Sequence, residues 1–307
     1  MKRIRAGLGY GVTAYMIWGA FPFYFGLIAM VSPLEVVPWR VGATLVFCAI
    51  LATVTSRWSQ VMAIVRRPKL LGWFALSSIL LYANWQIFVI GVMTGHVIET
   101  ALGYFINPLF TILIGVVVRR ERLSRLQWTA VVIATIGVVI AAIAYGAFPW
   151  IAVALAVTFG LYGAVHKHVG EHVDGITGLT VETLVSLPVG IVQMIIVAAT
   201  AGLTAHTFGP GVLLLVLGSG VVTAVPLILF GEAARRLPLS YLGFIQFLTP
   251  ILGFLYGYLV MHEEVSLGRW IGFIAVWIAL VLLIIDMVRQ LRRSPQAQLA
   301  TGPIPLD

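Results

Sequence analysis

The sequence predicts an all-α integral membrane fold, with ten transmembrane helices in two inverted five-helix repeats. Three observations lead there. The composition is too apolar for a water-facing surface, ten apolar runs have membrane-crossing length, and the basic residues cluster in alternate connections.

Hydrophobic residues make up 61% of the chain and charged residues 10%, with a mean hydropathy of +1.04. A soluble domain carries about 25% charged residues. Lipid must therefore be the solvent, and the bilayer is the first partner. The net charge of +8 marks cytoplasmic connections in such a chain, not a nucleic-acid partner. The single cysteine, Cys48, allows no intrachain disulfide. Lys2, Arg3 and Arg5 followed by an apolar run resemble a signal peptide, but the run continues to about Val31 with no clear cleavage site. It is expected as a retained first helix.

The ten runs are 7–30, 36–55, 71–94, 97–118, 127–145, 150–165, 177–200, 211–232, 240–260 and 270–287. None alternates apolar and polar residues as a barrel strand would. Lys2, Arg3 and Arg5 precede the first run. Arg57, Arg66, Arg67 and Lys69 separate the second from the third. Arg119, Arg120, Arg122 and Arg125 separate the fourth from the fifth, and Lys167 the sixth from the seventh. Arg235 and Arg236 follow the eighth, and Arg289, Arg292 and Arg293 follow the tenth. Only Arg40 and Arg269 of the 19 basic residues break this alternation. An even span count with both termini cytoplasmic follows.

The chain repeats itself. "GVVVRRERLSRLQW" (115–128) aligns with "GYLVMHEEVSLGRW" (257–270) at an offset of 142 residues. Gly115, Val118, Glu121, Ser124 and Trp128 meet Gly257, Val260, Glu263, Ser266 and Trp270. Pro108 meets Pro250 and Phe88 meets Phe230, while "LGYF" at 102 meets "LGFI" at 242 after a two-residue slip. Five spans per half force the halves to cross in opposite senses, a plan common among secondary transporters. The expected units are 1–146 and 147–290, five helices each, then a disordered cytoplasmic tail at 291–307.

"AYMIWGAFPFYF" (14–25), "ETALGYFINPLF" (99–110), "ERLSRLQWTAV" (121–131) and "LSYLGFIQFLTP" (239–250) resemble the RarD branch of the EamA-type drug/metabolite transporter superfamily. The likeness covers about residues 6 to 290. It implies ten helices in two repeats, a bacterial inner-membrane location and export or exchange of small metabolites.

Arg40 lies about 8 Å below the outer edge of the second run, counted from Glu35. Two readings are open: its side chain snorkels to the headgroups, or it faces a cavity or partner. As the partner, Glu99 is at a similar depth, and an Arg40–Glu99 pair would gate the cavity mouth or present charge to a zwitterionic cargo. Glu182 is the repeat mate of Arg40, but inversion sets the two on opposite sides of the midplane. It would bind a cargo amine or carry a coupling proton, or be satisfied by Thr180, Thr183 or a neighbouring helix. Asn84, Gln86, Tyr104, Asn107 and Gln246 are polar residues at depth, and Trp18, Tyr24, Trp85 and Tyr241 supply rings for a small-molecule substrate. Each alone reads as interhelical glue or interfacial anchor, and as a group several are expected to line the cavity. Pro108 and Pro250 each remove a backbone donor and are the expected hinges. Gly7/Gly11, Gly91/Gly95, Gly253/Gly257 and Gly268/Gly272 are GxxxG pairs for helix contacts or a dimer face.

Other patterns carry no chemistry. "HKHVGEH" (166–172) reads as a solvated cytoplasmic loop, and "HEEVS" (262–266) lacks the second zincin histidine. No Walker A motif, cofactor motif or clustered catalytic set is present, so an enzyme is not expected. The favoured function is a secondary-active or facilitative exporter working by alternating access. The alternative is a lipid-carrier flippase on the same architecture, which needs a lateral opening and a basic phosphate pocket.

Overall fold

Prolines and charges punctuate the apolar runs, and the helices start and stop at them. The computed structural model describes residues 2–94, 96–118, 120–144, 148–169, 173–259 and 266–300. Thirteen helices and no strand are found among them. In chain order they are α1 (Lys2–Gly19), α2 (Phe21–Gly26), α3 (Pro33–Val54), α4 (Trp58–Val65), α5 (Pro68–Met93), α6 (Val97–Val117) and α7 (Arg125–Ile143). Then follow α8 (Trp150–Val169), α9 (Gly175–Thr200), α10 (Pro210–Arg236), α11 (Leu239–Gln246), α12 (Leu248–Leu259) and α13 (Leu267–Ala300).

Proline opens α3, α5 and α10, where its missing N–H costs nothing. Ser124 and Gln127 close a capping box on α7, and Asp174 accepts from Ile176 and Thr177 N–H at the start of α9.

Two expected runs are each split. Pro22 stands in the first turn of α2 and separates it from α1. Pro250 cannot donate to the Gln246 carbonyl, and α11 ends there. The Phe247 N–H turns instead to the Phe244 carbonyl at 3.4 Å. Pro108, by contrast, sits inside an unbroken α6. The segment expected as a plain connection at 57–69 folds partly as α4, which buries Val61 and Ile64 against Phe74 and Val181. The helix α13 runs on to Ala300, ten residues into the segment expected as a disordered tail. Gly95, Glu171, His172, the stretch 262–265 and residues 301–307 lie outside the described residues.

Among the described residues, six helices are long and apolar enough to cross a membrane: α3, most of α5, α7, α8, α9 and α10. Three shorter apolar segments lie at Leu102–Val117, Leu239–Gly253 and Trp270–Asp286. The surface is apolar in the manner of a lipid-facing bundle. On α3, Val46, Ile50 and Val54 point outward, while Arg40, Thr44, Cys48 and Ala52, also spaced by four, are buried. This is a multi-pass membrane protein.

The principal helix contacts are α7 on α13, α6 on α8, α3 on α9, α1 and α3 on α10, α5 on α8 and α6 on α11. The α7–α13 contact needs glycine. A Cβ on Gly272 would come within 2.8 Å of the Gly137 carbonyl oxygen, and a Cβ on Gly137 equally close to that of Gly272.

Candidate functional site

Arg40 stands on the buried stripe of α3 and turns inward. Its Nε donates to Thr223 Oγ1 on α10 at 2.5 Å. The guanidinium carbon lies 4.4 Å from the ring centroid of Trp85, 5.1 Å from Phe25 and 5.6 Å from Phe21, all within cation–π range. Nη1 has no hydrogen-bond partner. The side chain is 2% exposed, so it is not snorkelling.

Arg40 opens onto a cavity of about 50 Å³ between the two halves of the chain, room for a few waters. Helical spacing builds its wall. Tyr15 and Trp18 come from one face of α1, Asn84, Trp85 and Phe88 from α5, and Tyr104 and Asn107 from α6. Phe159 of α8, Leu227 of α10, Gln246 of α11 and Thr249 of α12 are also part of it. Asn84 is committed: its Nδ2 donates to the Leu155 carbonyl at 3.1 Å and to Thr158 Oγ1 at 2.9 Å, tying α5 to α8. Asn107 Oδ1 and Gln246 Oε1 are buried without a partner.

Arg40 and Glu99 do not form the expected pair. Glu99 Oε1 accepts from the Ile151 N–H at 2.6 Å, in the first turn of α8. A helix start offers free N–H groups and a positive dipole end, which compete for a nearby carboxylate. Other carboxylates act alike. Glu35 accepts from the N–H groups of Thr204 and Ala205 at 2.6 and 3.0 Å, from Thr204 Oγ1 and from Trp39 Nε1. Glu121 accepts from the N–H groups of Leu239 and Ser240 at the start of α11, and Glu232 from Gly175 at the start of α9.

Glu182 belongs to a second, closed cluster and is 1% exposed. Its Oε1 accepts a short hydrogen bond from Ser77 of α5 and lies 3.1 Å from His166 Nδ1 of α8. Tyr162 donates to Oε2 at 3.4 Å. Thr180 and Thr183 do not contribute, because their hydroxyls bond to the Ile176 and Leu179 carbonyls of their own helix. His166 therefore sits in the last turn of α8, buried, and not in a solvated loop. The sequence reading missed its role, although Phe159, Tyr162 and His166 share one helical face. Ring contacts link the two sites: Trp18 to Phe230 at 5.7 Å, Phe230 stacked on Tyr162 at 5.7 Å, and Tyr162 to His166 at 5.4 Å.

The remaining candidates lie outside the cavity wall. Gln86 Oε1 accepts from Gln193 Nε2 at 2.7 Å, and Gln193 Oε1 accepts from Tyr82. Tyr24 donates to the Leu215 carbonyl, and Tyr241 packs against the main core. Pro108 is buried beside α11, where a Cβ on Gly243 would come within 2.9 Å of its carbonyl oxygen. Pro250 marks the α11–α12 break.

Known proteins agree with this architecture. The profile of the EamA-like transporter family matches residues 5–143 and again 148–285. Protein RarD of Streptomyces exfoliatus is 38% identical over 97% of this chain and 94% of the relative. Protein RarD of Escherichia coli (strain K12) is 36% identical over 95% and 98%. An uncharacterized transporter of Vibrio cholerae serotype O1 is 38% identical over 92% and 93%. A solved crystal structure shares the fold at a TM-score of 0.70 and 13% identity, covering 93% of this chain and 99% of that one. The matching family and the Vibrio cholerae relative are named as transporters, and the chain belongs to the EamA-like transporter family as a RarD-type member of the drug/metabolite transporter superfamily.

Proposed function

We propose that this chain is an inner-membrane carrier that exports a small organic solute by alternating access, driven by a gradient or purely facilitative. The carrying observation is the Arg40 cavity, a largely apolar pocket where the two halves meet, with polar atoms of Arg40, Asn107 and Gln246 left without partners. A solute larger than a few waters requires the halves to part around it.

In this reading ten spans form two inverted repeats. The first is α1 with α2, then α3, α5, α6 and α7; the second is α8, α9, α10, α11 with α12, and α13. The double match of the family profile supports it. So does the packing, because exchanging the halves carries the α1–α10 contact onto α8–α5 and returns α3–α9, α6–α11 and α7–α13 to themselves. The charge alternation supports cytoplasmic termini. A coupling proton, where one is used, belongs on the Glu182–His166 pair, which is faced by Tyr162 of α8, Ser77 of α5 and Cys48 of α3.

Untargeted metabolite accumulation in cells with and without the protein, followed by flux in proteoliposomes, tests the reading. The expected result is a solute whose movement needs the protein. Movement of labelled lipids with no solute flux would overturn it in favour of the flippase.

A further inference from the structure

We propose that the cargo is an organic monocarboxylate, docked through its carboxylate on Arg40 with its apolar body against the rings of Trp18 and Trp85. This rests on the carrier reading of the same cavity.

Charge balance at Arg40 favours an anion. Arginine stays protonated in proteins, so Arg40 is a fixed cation in a membrane interior, where such a charge is costly. Among the described residues, no carboxylate answers it. Glu99 caps α8, Glu35 holds the 204–205 backbone and Glu182 is bound to Ser77 and His166. Ring faces soften the charge but leave it net positive.

The geometry is that of a receptor. The Nε–H on Thr223 orients the guanidinium plane, and Nη1 remains without a partner. Arginine's planar fork matches a carboxylate in a two-point contact. The cavity wall contains no acidic side chain, so an ammonium or a second cation gains no counter-charge there. One cation also matches one negative charge, and a dianionic phosphate ester would leave an excess. Asn107 Oδ1 and Gln246 Oε1 are acceptors for a hydroxyl or amide N–H on the cargo body.

The test is equilibrium binding of labelled benzoate to the purified full-length protein, with competitors of similar size. Benzoate and hexanoate should displace the label at least about tenfold better than benzamide, phenylalanine or phenyl phosphate. Arg40→Gln should remove that preference, and Arg40→Lys should restore part of it by keeping the charge without the fork. Equal competition by benzamide, phenylalanine or phenyl phosphate, or binding unchanged in Arg40→Gln, overturns the proposal. So does failure of every monocarboxylate to displace or bind. Carboxylate binding without flux in vesicles keeps the anion site and removes only the carrier reading.

Discussion

Arg40 and Glu182 are each the eighth residue of their helices, α3 and α9, and stand 142 positions apart, the offset at which the halves align. Their neighbourhoods also correspond. Thr44 donates to the Gly220 carbonyl near one, while Ser186 bonds Ser78 near the other, at the same offset. Yet the electrostatics differ. Glu182 faces three side chains from two other helices, whereas Arg40 takes one hydrogen bond and several ring faces. A buried charge whose bonds are filled by its own chain is locked in place. One with bonds left open, in a cavity, is available to something that comes and goes.

This contrast can be broken by mutation. Glu182→Ala should have the largest effect, about 3–5 kcal/mol of stability, because it strands Ser77, Tyr162 and His166 in a dry interior. Unfolding in mixed micelles measures it, and a loss under about 1 kcal/mol would remove the idea of a structural cluster. Arg40→Gln should act in reverse. Transport should drop at least about tenfold, while stability stays level or rises, since no ion pair is broken.

A finer probe is Gly231→Ala. Its methyl would stand 2.9 Å from His166 Nε2, so the helices must shift, costing about 1–3 kcal/mol. Repacking confined to the closed cluster leaves cargo affinity at Arg40 unchanged, and a parallel loss of affinity would show the two sites to be one. Glu182→Gln preserves most hydrogen bonding and removes the titrating group. Flux that responds to an imposed pH gradient in the parent should lose that response, and a retained response takes the proton off this pair.

Glu99→Gln should be mildest, about 1 kcal/mol from a weakened cap on α8. Combined with Arg40→Gln, the two effects should add to within about 0.5 kcal/mol. Strong coupling in that cycle would restore the abandoned pair.

Much of the cavity wall was legible because polar groups are rare in these runs. Asn84, Asn107 and Gln246 stand out by type, and Trp18, Trp85 and Tyr104 each lie three residues from another wall residue, Tyr15, Phe88 and Asn107. Gln86 has the same signature and turns instead to Gln193. Facing is decided by which helix arrives beside it, and composition cannot name that helix. His166 was misplaced because its neighbours are charged and polar in sequence, while the last turn of α8 rotates it beneath Phe230.

What the chain alone determined is its solvent, its helical class, its division into two similar halves and the presence of a few ionised groups at depth. These follow from bulk transfer energies and backbone satisfaction, which act on every residue wherever it packs. Only the tertiary structure decided which groups answer one another. Counted along the sequence, Glu99 and Arg40 are expected at similar depth, yet the N–H of Ile151 takes the Glu99 carboxylate. Hydrogen bonds act over about 3 Å, so helix placement, not depth along the sequence, selects the partner, and among the described residues it gives Arg40 a threonine hydroxyl and no carboxylate.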